Sequence, residues 1–154
     1  MNIVKRLHHR PPYLLINEVI EHSPSSLTAL ALPDGSEFYL QGHFPGTPVV
    51  PGAMMQEMTT QAAGLLITEH HSPVPDYDST KTKGWALGVM RAVHMAKYKH
   101  FARPGDRLVI RVELIDRIEA VFRFKGKITV GDTTIMQNEF SLVNIEEAKL
   151  RGIV

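Results

Sequence analysis

One segment constrains the fold of this 154-residue chain more than any other, an apolar run without proline from Gly52 to about Glu69. Its length corresponds to about four or five helical turns. Apolar side chains fall on every side of such a helix, at Met54, Met55, Met58, Ala62, Ala63, Leu65 and Leu66. A helix that is apolar nearly all round is typical of a protein interior, so this segment predicts a buried helix.

Short apolar runs on both sides of this helix predict strands. Two precede it, at 13–22 and 27–33, and four follow it, at 85–98, 107–117, 121–130 and 133–145. The 121–130 run alternates apolar and basic residues, and the turn Gly131-Asp132 separates it from the next run, as in an antiparallel pair. One buried helix with enough strands for a wrapped sheet predicts an α+β fold, organised as a single domain over 1–154.

Charge and cysteine content exclude several classes of function. With 17 Lys and Arg against 16 Asp and Glu, the net charge of +1 lacks the basic excess typical of nucleic-acid binding. The absence of cysteine excludes disulfides, thiolate metal sites and a cysteine nucleophile. No stretch approaches the roughly 20 apolar residues of a membrane span, and the charged, proline-containing N-terminus is unlike a signal peptide. We therefore expect a cytoplasmic protein without a membrane segment.

The loop GHFPGTPVVPG leads into the predicted helix and contains His43 and Gly52. The first backbone N–H groups of a helix have no partner within it, and a glycine there allows a ligand to approach closely. Such a helix end suits a carbonyl oxygen that becomes negative during a reaction. The alternative is that the prolines and glycines only shape a tight loop and that His43 is an ordinary hydrogen-bonded residue.

Glu57 is the only acidic residue in the first four turns of the predicted helix, and no Lys or Arg lies within one turn of it. A glutamate in apolar surroundings has a raised pKa, and Gln61 at i+4 is placed to orient it by a hydrogen bond. The alternative is that Glu57 points towards water or an interface. If it is buried, Glu57 and a neutral His43 form an acid/base set for adding or eliminating water beside a carbonyl.

With these residues in view, the chain resembles the β-hydroxyacyl-acyl-carrier-protein dehydratases of the FabZ/FabA type. The main match is GHFPGTPVVPGAMMQEMTTQAAG, in which the family's histidine, helix-starting glycine and acid correspond to His43, Gly52 and Glu57. The acid is Glu, as in FabZ-type enzymes, whereas FabA-type enzymes have Asp. Two further stretches, HHRPPYLLINEV and AKYKHFARPGDRL, extend the similarity over most of the chain.

The resemblance implies a hotdog fold and reversible dehydration of a β-hydroxyacyl thioester without metal or organic cofactor. By resemblance, His43 takes the C2 proton, Glu57 assists departure of the hydroxyl as water, the Gly52 N–H polarises the thioester carbonyl, and Gln61 supports the acid. Pro11 and Tyr13 depart from the family's usual Tyr and Phe, and the 70–84 loop is longer than usual.

The resemblance also implies partners: acyl carrier protein, which is acidic, and further copies of the chain in a homodimer or a hexamer of three dimers. Four basic residues close in sequence are candidates for binding the carrier protein, namely Arg91, Lys97, Lys99 and Arg103. The alternative is that they are ordinary solvated charges. Two other functions remain open, a hotdog acyl thioesterase and a non-catalytic module that binds acyl carrier protein.

Overall fold

The structure is a computed structural model and describes residues 1–152. Its helices are α1 (Ile3–Arg6), α2 (Gly52–His70) and α3 (Glu147–Leu150). Its strands are β1 (Glu18–His22), β2 (Ser26–Ala31), β3 (Trp85–Tyr98), β4 (Leu108–Ile118), β5 (Val121–Val130) and β6 (Thr133–Glu146).

The strands form one antiparallel sheet in the order β1-β2-β4-β5-β6-β3. The long neighbours β4, β5 and β6 follow one another through tight turns. Gly131 lies in the turn between β5 and β6 with φ of +53°, a conformation that favours glycine. The chain returns from α2 through β3, which pairs with β6 and forms one edge of the sheet.

Helix α2 is the centre of the core. Most of its residues from Met55 to Thr68 are buried, as the apolar character of its sequence predicts. Inward-facing side chains of the sheet cover it, among them Phe124 and Phe140, whose stacked rings have centroids 5.8 Å apart. A long helix covered by one antiparallel sheet in this strand order is the hotdog fold, so the predicted fold class is confirmed. The prediction of one domain over 1–154 stays a prediction.

The strand predictions were accurate after the helix and less so before it. Strands β3 and β5 have the predicted bounds, whereas β1 begins at Glu18, later than the predicted residue 13. The reason is that the Leu15 N–H donates to the Gln61 side chain at 2.9 Å rather than to a neighbouring strand. Strand β2 ends at Ala31 because the Leu32 N–H donates to Asn17 Oδ1 at 2.8 Å and Pro33 has no N–H to donate.

A small polar cluster interrupts the apolar interior between α2 and the sheet. Asn138 on β6 donates through Nδ2 to Gln56 Oε1 at 2.9 Å and to Thr59 Oγ1 at 2.8 Å. Its amide occupies the space beside Gly126 on β5, where a Cβ would overlap Asn138 Oδ1. Any larger residue at position 126 would therefore require the Asn138 amide to move, although the φ of Gly126 does not lie in the left-handed region.

The 71–84 loop packs against the N-terminal segment. Ser79 Oγ donates to the Leu7 carbonyl at 2.7 Å, and the Ser79 N–H donates to the Lys5 carbonyl at 2.7 Å. Tyr77 is buried and its hydroxyl contacts His8. This packing forms one wall of the cavity described below. Within residues 1–152 no helix is both long and apolar enough to cross a membrane.

Candidate active site

The loop before α2 fixes the orientation of the His43 ring. His43 Nδ1 lies 2.9 Å from the Val49 carbonyl oxygen, and the Val49 N–H donates back to the His43 carbonyl at 2.9 Å. A carbonyl can only accept, so Nδ1 carries the proton in this hydrogen bond. In the neutral imidazole, Nε2 then has a free lone pair, which is the form that a general base needs.

His43 lines a cavity of about 410 Å³ at the entrance of α2, together with Gly52, Met55 and Tyr98. Helix α2 begins at Gly52, as predicted, with Pro51 as the residue before it. The Tyr98 ring lies so close to Gly52 that an added Cβ would be 3.0 Å from a ring carbon. A glycine at the helix start therefore leaves the entrance open, and the first N–H groups of α2 have no partner within the helix.

Glu57 is positioned one and a half turns into α2, and its side chain is 18% exposed. Gln61 Nε2 donates to Glu57 Oε1 at 3.0 Å, which is the hydrogen bond expected from the i, i+4 spacing. Burial raises the pKa of Glu57, and the hydrogen bond from Gln61 opposes that rise. The alternative that Glu57 points freely into water does not apply within the single chain.

Gln61 is itself fixed on both sides of its amide. Its Nε2 also donates to the Tyr13 carbonyl at 2.8 Å, and its Oε1 accepts from the Leu15 N–H at 2.9 Å. The side chain is fully buried. The amide therefore joins helix α2 to the segment before β1 and holds the Glu57 carboxyl in one orientation.

His9 is a residue of this site that the sequence analysis missed. Its Nε2 lies 3.4 Å from Glu57 Oε1, and its ring stacks on Tyr13 with centroids 5.9 Å apart. Burial lowers the pKa of His9, and the nearby charges of His8 and Arg10 lower it further. The only signal in the sequence was the segment HHRPPYLLINEV, which matched the family without indicating a role.

Glu57 and His43 do not share a cavity within one chain. Glu57 lines a larger cavity of about 680 Å³, together with His9, Tyr13, Thr60 and the first residues of β3. His43 lines the separate cavity at the helix entrance. Within a single chain, the two predicted catalytic residues therefore line two separate cavities, Glu57 from helix α2 and His43 from the loop before it.

The four basic candidates are all exposed, but they do not form one compact group. Lys99 lines the His43 cavity, and the Arg103 guanidinium lies 5.8 Å from the centre of the exposed Phe101 ring nearby. Lys97 and Arg91 are on β3, separated by six residues or about 20 Å of strand. Within residues 1–152 none of the four has an acidic partner at ion-pair distance.

No group of three or more His, Asp or Glu side chains in the described part of the chain is arranged to hold a metal ion. The closest histidine pair is His22 and His70, whose ring nitrogens are 3.0 Å apart at the far end of α2. These two residues do not line the cavity of Glu57 or that of His43.

Known proteins are similar to this chain in sequence and in fold. The chain is 37% identical over 139 residues to a 3-hydroxyacyl-[acyl-carrier-protein] dehydratase FabZ from Verminephrobacter eiseniae, covering 89% of this chain and 87% of that relative. A FabZ from an Anaeromyxobacter species is 34% identical over 139 residues, which are 90% of this chain and 84% of the relative.

Among solved structures, a chain of the dehydratase heterocomplex ApeI:P from Xenorhabdus doucetiae superimposes with a TM-score of 0.80 at 16% identity. The superposition covers 99% of this chain and 97% of that one, which shows a common fold. The FabA-like domain family matches residues 7–139, a range that contains His9, His43, Gly52, Glu57 and Gln61. The chain therefore belongs to the FabA-like domain family and is most similar, among these relatives, to dehydratases of the FabZ type.

Proposed function

We propose that the chain catalyses reversible dehydration of a 3-hydroxyacyl thioester carried on acyl carrier protein, giving the trans-2-enoyl thioester. The two curated relatives are named for this reaction on this carrier. The observation that carries the proposal is the buried Glu57 carboxyl, held by Gln61 in a cavity large enough for an acyl chain. Fatty-acid synthesis is the pathway that we expect, with related lipid or polyketide synthesis as the alternatives.

The proposed mechanism uses one base and one acid. His43 Nε2 takes the proton from C2, and the electron pair of that C–H bond forms the new double bond. Glu57 gives its proton to the leaving C3 hydroxyl, which departs as water. The Gly52 N–H stabilises negative charge on the thioester oxygen, and Gln61 keeps the acid oriented. After the reaction His43 carries an extra proton and Glu57 lacks one, so a proton returns to Glu57 before the next turnover.

We further propose that each site takes His43 from one subunit and Glu57 from another. The two side chains line separate cavities in one chain, so the proposed acid and base meet only if a second chain is present. Strand β3 offers a surface for such pairing, because its outer edge has no partner strand within residues 1–152. Exposed apolar residues follow this strand at Met90, Val93, Met95 and Tyr98. An open edge of this kind favours pairing with a second copy, in a dimer or a hexamer of three dimers.

Acyl carrier protein is proposed to approach at the mouth of the His43 cavity. Lys99 lines this cavity and Arg103 lines a neighbouring one, and the exposed Phe101 contributes to both. Within residues 1–152 neither basic residue has an acidic partner at ion-pair distance. Lys97 at the end of β3 extends the positive charge, and Arg91 is further along the strand. An acidic carrier is attracted by exposed basic residues near this mouth even though the whole chain is almost neutral. A cytoplasmic location stays a prediction of the sequence.

The test of the reaction is to offer a short β-hydroxyacyl thioester and follow enoyl absorbance and free thiol in parallel. Formation of the enoyl product without thiol release is the expected result. Thiol release without enoyl formation would replace the proposal with a hotdog thioesterase. If a purified, folded protein gives neither signal, also with carrier-bound substrate, it is a binding module rather than an enzyme.

A further inference from the structure

His9 has an incomplete set of polar contacts for a half-buried histidine. Its Nε2 is 3.4 Å from Glu57 Oε1, and its Nδ1 is buried without a hydrogen-bond partner in the described residues. The ring lies in the segment between α1 and β1 and stacks on Tyr13. Within residues 1–152, the Glu57 carboxyl is therefore the one charged group at ion-pair distance from His9.

His9 and Gln61 both approach the same oxygen of the acid. Gln61 Nε2 donates to Glu57 Oε1 at 3.0 Å, and His9 Nε2 lies 3.4 Å from the same atom. No side chain within residues 1–152 donates to Glu57 Oε2. Oε1 is thus the oxygen that the protein holds, and Oε2 is the one that remains for the leaving hydroxyl of the substrate.

The environment favours the neutral form of His9. An imidazolium needs acceptors for two N–H groups, whereas Nδ1 is buried with no acceptor. Burial lowers the pKa of His9, and Arg10 beside it acts in the same direction. The other titratable groups that face this cavity are His8, Tyr13, Lys83 and Glu147. A neutral imidazole with its proton on Nε2 is then a single hydrogen-bond donor without net charge.

We propose that His9 is a positioning residue that donates a neutral hydrogen bond from Nε2 to Glu57 Oε1 whenever the Glu57 carboxyl is ionised. The inference rests on the role proposed above for Glu57 as the acid. A cation at this place would keep Glu57 ionised and unable to give a proton. A neutral donor stabilises the carboxylate that forms after proton transfer without preventing its reprotonation.

The charge of residue 9 is the variable that tests this inference. His9→Gln keeps a neutral donor, His9→Phe keeps a ring without a donor, and His9→Lys introduces a cation. His22→Gln is the matched control, since His22 is an exposed histidine on β1 that contacts His70 and lies outside the Glu57 cavity. Each variant is labelled with ¹³C at the glutamate carboxyls, and Glu57→Gln assigns the Glu57 signal in the NMR titration.

The expected order of the Glu57 pKa is His9→Lys lowest, parent and His9→Gln close together, and His9→Phe highest. A neighbouring cation lowers a carboxyl pKa by about one to three units. Because the acid must be protonated to act, dehydration by His9→Lys should fall about tenfold or more at neutral pH and recover as the pH is lowered. The control should show the parental titration and the parental pH profile.

The result that would overturn the inference is a Glu57 titration that is the same in the parent and in all three folded variants of residue 9. The titration does not depend on turnover. If it shifts as expected while the parent shows no dehydration, the proposed function fails and the link between His9 and Glu57 stands. If His9→Phe does not fold, the neutral donor of His9→Gln and the cation of His9→Lys still give the comparison with the parent.

Discussion

Gln61 joins Glu57 to the segment before β1, because a single amide nitrogen donates to Glu57 Oε1 at 3.0 Å and to the Tyr13 carbonyl at 2.8 Å. The same amide accepts from the Leu15 N–H. The orientation of the proposed acid and the path of the N-terminal segment are therefore fixed by one buried side chain. Replacing it should affect chemistry and stability together.

Gln61→Leu is expected to raise the pKa of Glu57 further, since the carboxylate loses its donor while it stays buried. A carboxyl with a raised pKa in the folded state stabilises the protein at low pH, and this stabilisation is lost as the pH rises through the folded pKa. The cost of Gln61→Leu should therefore grow with pH above the ordinary glutamate value. The unpaired Leu15 N–H and Tyr13 carbonyl add a pH-independent cost of about 1–3 kcal/mol each.

Urea unfolding from pH 4 to pH 8 measures the free energy of unfolding of Gln61→Leu and of the parent. Leu is chosen rather than Glu because Gln61→Glu would add a second acid. Glu57→Gln/Gln61→Leu is the matched double variant, in which the pH-dependent part should disappear and the pH-independent part should remain. Equal destabilisation of Gln61→Leu at all pH values would show that the amide acts on the backbone alone.

His43→Ala and Glu57→Gln are each expected to lower kcat by about 10²- to 10⁴-fold, the usual effect of removing a positioned acid or base. Neither change should unfold the protein, because His43 is in a surface loop and Gln retains the shape of Glu57. Circular dichroism and the enoyl assay on the same samples provide the measurement. A folded variant with near-parental turnover would make that residue structural.

Gly126→Ala is expected to destabilise the protein by about 1–3 kcal/mol, the range for overpacking a filled interior. The added methyl group would overlap the Asn138 amide and also approach Thr59, so the amide must move and lose its hydrogen bonds. Lys125→Ala, on the same strand but facing outward, is the control and should change stability little. Chemical unfolding gives the free energy of unfolding of both variants. If Gly126→Ala is as stable as the parent, the Asn138 amide moves without cost.

Much of the fold follows from local sequence patterns, as particular elements show. Helix α2 and strands β3 and β5 begin where the pattern places them, and α2 and β5 each bury an apolar face. Helices α1 and α3 were not predicted, since four residues are too few to establish a helical period. The early end of β2 depends on Asn17, 15 residues away, whose side chain takes the N–H that the strand would have used.

In the site, too, a contact within one helix could be predicted, whereas contacts between distant segments could not. The hydrogen bond between Glu57 and Gln61 could be predicted because both residues are on one helix at i, i+4. His9 could not be placed, because 48 residues separate it from Glu57 and no period connects a loop to a helix. The separate cavities of His43 and Glu57 were also beyond local reasoning, because they depend on how the loop before α2 folds back to Val49.

Charge reversal at the mouth of the His43 cavity is expected to weaken use of carrier-bound substrate. Lys99→Glu and Arg103→Glu should each raise KM several-fold for acyl carrier protein, more at low salt than at high salt, because screening reduces the attraction between exposed charges. A small thioester mimic should be affected little. Lys127→Glu, on the exposed outer side of β5, is the control. Equal losses with both substrates would assign these residues to the site rather than to the carrier.

The shared site is tested by mixing two inactive variants, His43→Ala and Glu57→Gln. The proteins carry different affinity tags, are unfolded together and are refolded, and the mixed dimers are isolated through both tags. If His43 of one subunit works with Glu57 of the other, each mixed dimer has one intact site and one site with both changes. About half of the parental activity per dimer should then return.

If both residues instead act within one chain, every site in the mixed dimer carries one change and no activity returns. Each variant refolded alone gives the baseline, and the parent taken through the same procedure gives the full recovery. Mixed dimers that stay at the baseline would refute sharing of the site, although the dehydration assay could still be positive for the parent. Recovery above the baseline is a result that no single-chain site can give, since neither subunit contains both His43 and Glu57.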